Sequence, residues 1–111
     1  MSKRPVDLLL EDICEALDRI EQYISGMSFD VFSKDRKSID AVVRNLEIIG
    51  EASNRLPADF KDSHPQIQWH KLVGLRHRIV HEYFGIDLQI VWQILQKDLP
   101  SLRQAISQIR G

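Results

Sequence analysis

The densest group of chemically versatile side chains lies in the stretch LRHRIVHEYFG, which begins at residue 75. Arg76, His77, Arg78 and His81 fall within six residues, and Tyr83 follows two residues later. A guanidinium offers a planar fork of donors that matches phosphate oxygens, and an imidazole can accept or release a proton near neutral pH. The combination therefore favours chemistry at a phosphate group.

Cleavage of RNA is the phosphate reaction that these residue types can serve without a metal. The ribose 2′-hydroxyl attacks the adjacent phosphorus, a base removes its proton, and a cation stabilises the charge that develops on the phosphate. Because water does not attack, no metal-activated hydroxide is needed. Tyr83, beside such a site, could stack on a base or present its hydroxyl.

The spacing of Arg76 and His81 raises a geometric question. Each residue turns a helix by about 100°, so these two side chains point about 140° apart on one helix. Tyr83, seven residues after Arg76, nearly aligns with it. Two copies of the helix that meet across a symmetric dimer would let arginines and histidines line one cleft. The sequence therefore predicts a two-fold dimer that uses this helix.

Two structural interpretations compete with the catalytic one. Arg76 could be a surface salt-bridge partner, with Glu51 or Glu82 available, and His81 could be a half-buried histidine with its hydrogen bonds satisfied. A zinc site is also conceivable, since His70, His77 and His81 fall on one face at steps of seven and four. Gly74 interrupts that face and no cysteine joins it, so no metal is predicted.

The bulk composition indicates one ordinary globular domain over residues 1–111. Hydrophobic residues make up 43% and charged residues 28%, and the formal net charge is −1. This charge creates no global field that would attract nucleic acid or a membrane, so any anion must bind at a local cluster. The single cysteine, Cys14, excludes an intrachain disulfide and is interpreted as a small apolar residue. Without a signal peptide or an apolar run of about 18 residues, we expect a cytoplasmic protein without a membrane span.

The apolar periodicity predicts an all-α fold, an antiparallel bundle of about four long helices with short connections. Gly26, Pro57 and Gly85 supply helix stops, Asp87 is a candidate N-cap, and Pro100 must kink or break the last helix. The predicted helices run from about Pro5 to Ser25, Asp35 to Leu56, Gln68 to Phe84, and from Leu88 through Pro100 to Ile109.

The pattern Arg-x4-His-x-Tyr, formed by Arg76, His81 and Tyr83, resembles the signature of the HEPN superfamily. Three longer stretches are similar to HepT-like toxins along nearly the whole chain: DRKSIDAVVRNLEIIGEASNRLP, HPQIQWHKLVGLRHRIVHEYFGID and VWQILQKDLPSL. The order RNLEIIGEA followed by HEYFGID makes the resemblance more specific than the three-residue signature.

The resemblance implies a HEPN-like bundle of four to five helices and a homodimer with the motif at its interface. It also implies a metal-independent endoribonuclease, the toxin of a toxin–antitoxin pair, which needs no cofactor and uses Arg76 and His81 as its catalytic pair. The partner in such pairs is a small nucleotidyltransferase antitoxin. In them the motif tyrosine, here Tyr83, can be adenylylated, which would block the cleft by bulk and negative charge.

Other residues are assigned supporting roles. His77 stands where the family often has asparagine; it can still donate to a phosphate, and we group it with Arg78 as phosphate-binding. On the second helix, Arg44 and Glu51 are candidate supporting residues, although a solvated helix face explains them equally well. Some HEPN proteins are not catalytic, so the alternative function is a dimer that binds RNA, a nucleotide or its nucleotidyltransferase partner without cleavage.

Overall fold

The computed structural model describes residues 4–80 and 85–110, and this part of the chain is all-α, as predicted. It contains no strand; one isolated antiparallel bridge joins Val80 and Ile86. None of the helices in this part is both long and apolar enough to cross a membrane. In chain order the elements are α1 (Val6–Ile24), α2 (Phe29–Lys34), α3 (Arg36–Arg55), α4 (Ala58–Asp62), α5 (Trp69–Val73), α6 (Leu75–Ile79), α7 (Leu88–Gln93), a π-helical turn (Ile94–Asp98) and α8 (Leu99–Arg110).

The two long helices α1 and α3 pack against each other and form the centre of the bundle. Their bounds confirm the first two predicted helices to within one residue. The buried side chains recur at steps of three and four, so that each helix turns one apolar stripe inward. The Asp35 side chain caps α3 by accepting the Ser38 N–H at 3.2 Å. On α1 the buried stripe comprises Leu9, Leu10, Ile13, Ala16, Leu17 and Ile20.

The last helix, α8, packs antiparallel to α1. Arg103 donates to Asp18 at 2.9 Å and to Glu21 at 3.0 Å, while the guanidinium of Arg110 lies 3.5 Å from the sulfur of half-buried Cys14. Later residues of α8 thus meet earlier residues of α1. Desolvation lowers the pKa of Arg103, but hydrogen bonds and charge interactions with Asp18 and Glu21 outweigh it and raise that pKa above its usual value.

The prediction of one continuous third helix from Gln68 to Phe84 is wrong. The segment begins as α5, passes Gly74, and ends with α6 at Ile79. The Gly74 N–H donates to the His70 carbonyl, and the Gly74 carbonyl accepts from the Arg78 N–H, both at 3.0 Å. Helical hydrogen bonds thus continue through Gly74 from α5 to α6. At Val80 the backbone becomes extended (φ −90°, ψ 124°). The Ile79 carbonyl accepts the Asp87 N–H at 2.7 Å, a bond that replaces continuation of the helix.

Pro100 interrupts the final helix without ending it. The Leu99 N–H bonds to the Ile94 carbonyl five residues earlier, which closes the π-helical turn immediately before the proline. Pro100 then occupies the first turn of α8, where a missing N–H costs little. The expected kink or break therefore takes the form of a wide turn. The predicted cap of the preceding helix is confirmed, since Asp87 accepts the Ile90 N–H at 3.1 Å.

Helices α3 and α5 approach closely at Gly50. A Cβ placed on Gly50 would lie 3.0 Å from the backbone carbonyl oxygen of Leu72. That separation is shorter than ordinary van der Waals contact, and backbone atoms cannot move aside as a flexible side chain can. The glycine of the stretch EIIGEA therefore lets α5, and α6 after it, pack directly on α3.

Candidate functional site

Helix α6 carries the first half of the Arg-x4-His-x-Tyr motif. Arg76 and His77 are exposed on it and Arg78 is half-buried, whereas Leu75 and Ile79 point into the core. The catalytic and modification predictions at His81 and Tyr83 lie outside the described residues.

The two arginines of α6 leave the helix on opposite sides. Two residues turn a helix by about 200°, so Arg76 and Arg78 flank the buried stripe rather than sharing a face. Val73, three residues before Arg76, lies on its side, and Lys71, seven residues before Arg78, lies on the other. Each side borders a different groove of the molecule.

Arg76 lines a groove of about 470 Å³ between α1, α3 and the α5–α6 segment. The same groove is lined by both supporting residues predicted on the second helix, Arg44 and Glu51. The structure therefore brings three of the sequence-predicted site residues to one depression of the surface. The other polar residues that line it are Asp12, Glu47, Asn54 and Arg55.

Carboxylates and guanidinium groups are balanced in number along this groove, but two of the carboxylates are already paired. Arg4 binds Asp12 through two hydrogen bonds of 2.7 and 2.8 Å. Arg55 lies 3.3 Å from Glu51, one helical turn away on α3. Both partners of that pair are well exposed, so it contributes little to stability.

Arg44 and Arg76 form no ion pair with the residues that the structure describes. Glu51, offered from sequence as a salt-bridge partner of Arg76 or as a residue that orients the motif, contacts Arg55 instead. Within the described chain, two guanidinium groups in this groove thus keep their donors available for an anion.

Three polar residues of α3, Arg44, Asn45 and Glu51, divide into two kinds. Arg44 and Glu51 are exposed, as a solvated face requires, but Asn45 is buried. Its side-chain amide donates to the Ala41 carbonyl at 2.8 Å, and its side-chain oxygen has no hydrogen-bond partner in the part of the chain that the structure describes. Asn45 therefore belongs to the interior of the bundle and not to the groove.

Arg78 is held on its own side of α6 by Asp98, from the π-helical turn, at 3.0 Å. About a third of each side chain is exposed, so the pair is partly shielded from water. Sequence reasoning missed Asp98. The two residues are twenty positions apart, and their meeting depends on how the segment after α6 returns to the bundle, for which the sequence carries no local signal.

The alternative zinc triad gains no support from the described part of the chain. No group of three or more histidine, cysteine or acidic side chains in residues 4–80 and 85–110 is arranged to hold a metal ion. His70 and His77 are both exposed on the outer side of the α5–α6 segment. The third member of the triad, His81, falls outside the described residues.

The described half of the site can bind an anion but lacks an assigned proton carrier. Arg76 and Arg44 can donate to phosphate oxygens from one side. Among the described histidines, His77 is the one nearest to Arg76 in the sequence. Val80 and Ile86 face each other across the bridge, so the chain leaves and rejoins the described structure at adjacent points next to α6. Residue His81 directly follows the last described residue of that segment.

Comparison with known proteins identifies the family. Residues 13–109 match the family described as "HepT-like: Ribonuclease HepT-like". The chain is 43% identical over 101 residues to the "Probable ribonuclease HepT" of Thermococcus cleftensis, covering 91% of this chain and 92% of that protein. It is 40% identical over 115 residues to "Putative RNase MJ0127" of Methanocaldococcus jannaschii, covering 100% of this chain and 95% of the relative.

A protein of the bacterium Caldanaerobacter subterraneus, "Putative RNase TTE0752", is 37% identical over 100 residues, covering 90% of this chain and 89% of its own. No solved structure matches the chain. The family match begins within α1 and spans all of α3, the α5–α6 segment with the arginine of the motif, and the chain that follows it. The chain therefore belongs to the HepT-like ribonuclease family.

Proposed function

We propose that the protein is the toxin of a toxin–antitoxin pair and cleaves RNA internally without a metal. The observation that carries this proposal is the position of Arg76. It is exposed at the edge of a groove that also holds Arg44, it has no ion-pair partner among the described residues, and it begins the Arg-x4-His-x-Tyr motif in a HepT-like ribonuclease.

In the proposed reaction, Arg76 and His81 divide the work at one phosphodiester. His81 removes the proton of the ribose 2′-hydroxyl, whose oxygen forms a bond to phosphorus while the bond from phosphorus to the 5′-oxygen breaks. The 5′-oxygen leaves with a proton from an imidazolium or from water. Arg76 donates to the phosphate oxygens as negative charge develops on them. The products are a 2′,3′-cyclic phosphate and a 5′-hydroxyl.

A homodimer is part of the proposal. Arg76 shares its flank of α5–α6 with Val73, and Val80 directly follows the end of α6; each of these two valines is about 40% accessible. Contact between two copies along this segment would cover exposed valine side chains and bring two Arg76 side chains to one cleft. His77 and Arg44 would then supply further donors to the RNA backbone.

Control by a nucleotidyltransferase antitoxin completes the proposal. Adenylylation of Tyr83 would add a phosphodiester of about one negative charge near Arg76, where the RNA phosphate is expected to bind. The bound AMP would exclude RNA by its bulk and by repulsion of the substrate's own phosphates. Both RNA and such an antitoxin are encountered in the cytoplasm, which is the proposed place of action.

The test is incubation of the purified protein with RNA in excess EDTA. We expect cleavage of RNA, resistance of DNA of the same sequence, and 2′,3′-cyclic phosphate ends. Loss of cleavage in His81→Ala and Arg76→Ala, with normal activity in Lys37→Ala purified in the same way, excludes a contaminating nuclease. A requirement for zinc, or equal cleavage of DNA, would contradict the proposal. Intact RNA with retained RNA binding would instead support the non-catalytic alternative.

A further inference from the structure

A second groove, of about 360 Å³, lies on the opposite side of the α5–α6 segment from Arg76. Its apolar floor is formed by side chains such as Leu72 and Leu102, which also belong to the core. Its walls come from the chain before α5, from α5 itself, from the π-helical turn and from α8. The polar residues that line it are Gln66, Gln68, Lys71, Lys97, Asp98 and Ser101.

The charge available to a ligand in this second groove is positive. Lys71 and Lys97 are exposed, and neither forms an ion pair with another residue in the described ranges. Asp98 is the acidic residue of the lining, and Arg78 occupies its carboxylate at 3.0 Å. With that charge offset, the two ammonium groups have no counter-charge among the described residues, in a protein whose net charge is −1.

The two lysines reach the groove from different elements of the backbone. Lys97 and Asp98 both belong to the π-helical turn that precedes Pro100, so one unusual backbone feature places a lysine without an ion pair in the described ranges next to the carboxylate that binds Arg78. Turns of this type inside α-helices often accompany functional sites. Lys71 reaches the same groove from α5, on the flank of the segment that also carries Arg78.

We propose that the second groove binds the phosphate backbone of the RNA strand outside the cleavage site. This inference rests on the proposed ribonuclease function and names further substrate-binding residues for it, Lys71 and Lys97. The chemistry of the lining fits a polyanion, because ammonium groups, side-chain amides and a hydroxyl all donate to phosphate oxygens. A strand that passes from Arg76 to Lys71 needs to cross only the width of one helix, about 10–12 Å.

Sequence-independent contacts of this kind raise affinity rather than the rate of the chemical step. Each cation that neutralises a phosphate releases counterions, so the affinity for single-stranded nucleic acid falls with salt at a slope of about −0.7 per contact. The two lysines together should therefore account for about 1.4 units of the slope of log affinity against log salt concentration.

The experiment measures binding of a fluorescent 2′-O-methyl RNA oligonucleotide, which cannot be cleaved because its 2′-oxygen carries no proton. The test variant is Lys71→Ala with Lys97→Ala. The control variant, Lys34→Ala with Lys37→Ala, removes the same charge elsewhere. Lys37 precedes Gly50 by thirteen residues, about 20 Å along α3, and Gly50 is the residue that meets Leu72 of the second groove.

We expect the test variant to bind RNA about tenfold more weakly at 0.1 M salt and to lose about 1.4 units of salt slope. In cleavage assays its KM should rise while kcat stays near that of the unaltered protein, and Lys71→Arg with Lys97→Arg should restore both readouts. The control variant should match the unaltered protein. Equal melting temperatures of the variants would exclude unfolding as the cause.

The outcomes separate this inference from the proposed function. If the unaltered protein cleaves RNA, and the test variant matches it in affinity, salt slope and KM, the second groove does not bind substrate and the inference is overturned while the ribonuclease proposal stands. If the unaltered protein neither binds nor cleaves RNA, both fail. Loss of binding to an acidic protein partner, with RNA binding unchanged, would also overturn the inference.

Discussion

Arg78 and Asp98 are joined across 3.0 Å, and their ion pair ties helix α6 to the π-helical turn. Arg76, two residues before Arg78, instead borders the groove on the other side of α6. The cluster of basic residues that is compact in sequence is therefore divided in space. Among the described residues Arg76 has no ion-pair partner, so its donors are available for an anion. Arg78 uses part of its donors to bind Asp98.

This division predicts unequal effects of the two arginines on catalysis. Arg76→Ala should lower kcat by about 10²–10³, the usual cost of removing a donor to a developing oxyanion. Arg78→Ala should lower it by less than about tenfold and reduce the free energy of unfolding by no more than about 1 kcal/mol, because the pair is partly exposed. Single-turnover cleavage and chemical denaturation measure both quantities.

A double-mutant cycle with Asp98→Asn provides the control for that comparison. The coupling energy between Arg78 and Asp98 should be about 0.2–1 kcal/mol in denaturation experiments. If Arg78→Ala abolished cleavage as completely as Arg76→Ala while the fold remained intact, Arg78 would have to leave Asp98 and bind phosphate directly, as first predicted from the sequence.

The contact between Gly50 and Leu72 predicts a stability effect. Gly50→Ala places a methyl group about 3.0 Å from the Leu72 carbonyl oxygen. The two helices must separate, and we expect a loss of about 1–3 kcal/mol in the free energy of unfolding. Asp40→Ala, at an exposed position of the same helix, is the control and should change stability by less than about 0.5 kcal/mol. Greater stability of Gly50→Ala than of the unaltered protein, as helix propensity alone would give, would refute close packing here.

The long helices could be predicted from the sequence because their apolar residues repeat with the period of a helix over about five turns. In α1 and α3 this repetition and the flanking residues that stop a helix agree, and the bounds follow to within one residue. The α5–α6 segment offered a shorter pattern in which the polar motif displaces apolar residues. There the helix ends where the Ile79 carbonyl accepts the Asp87 N–H, a bond between residues eight positions apart that no helical pattern predicts.

The catalytic and binding roles of the site residues stay predictions, and the described structure bears only on where some of them lie. Arg76, Arg44 and Glu51 do line one groove, as their assignment to one site requires. The partners of Arg78 and Glu51 were not foreseen, because side-chain pairing depends on rotamers and on neighbouring helices. Lys71 and Lys97 were not predicted as site residues either. They are 26 positions apart in the sequence, and isolated lysines are ordinary surface residues.

Two exposed valines, Val73 of α5 and Val80 just after α6, predict where two copies of the chain meet. Val73→Asp and Val80→Asp should each raise the dissociation constant of the homodimer at least about tenfold, because a two-fold interface buries every substituted side chain twice. Cleavage should fall in parallel if the cleft needs both subunits. Val31→Asp, on α2 and about half exposed, is the matched control. Analytical ultracentrifugation across micromolar concentrations measures the equilibrium, and a monomeric unaltered protein would rule out this assembly.

Tyr83 is the expected point of control by the antitoxin. It follows His81 by two residues and Arg76 by seven, and the chain resumes in the described structure at Gly85, next to the bridge between Val80 and Ile86. A group attached to its hydroxyl would thus be carried by the segment that adjoins α6. Each attached AMP brings about one negative charge, for which Arg76 is a suitable partner.

We therefore expect Tyr83→Phe to remain ribonucleolytic, because the phenol is not needed for proton transfer, and to escape modification by the cognate nucleotidyltransferase. Co-expression of that enzyme with the unaltered protein should add the mass of AMP, mapped to Tyr83 by peptide mass spectrometry, and should abolish cleavage. Co-expression with Tyr83→Phe should leave cleavage intact. The chain holds one other tyrosine, Tyr23, which is exposed on α1 and serves as the internal control. An AMP increment at Tyr23, or neutralisation of the unaltered toxin without any added mass, would show that the antitoxin acts by another route, such as covering the cleft.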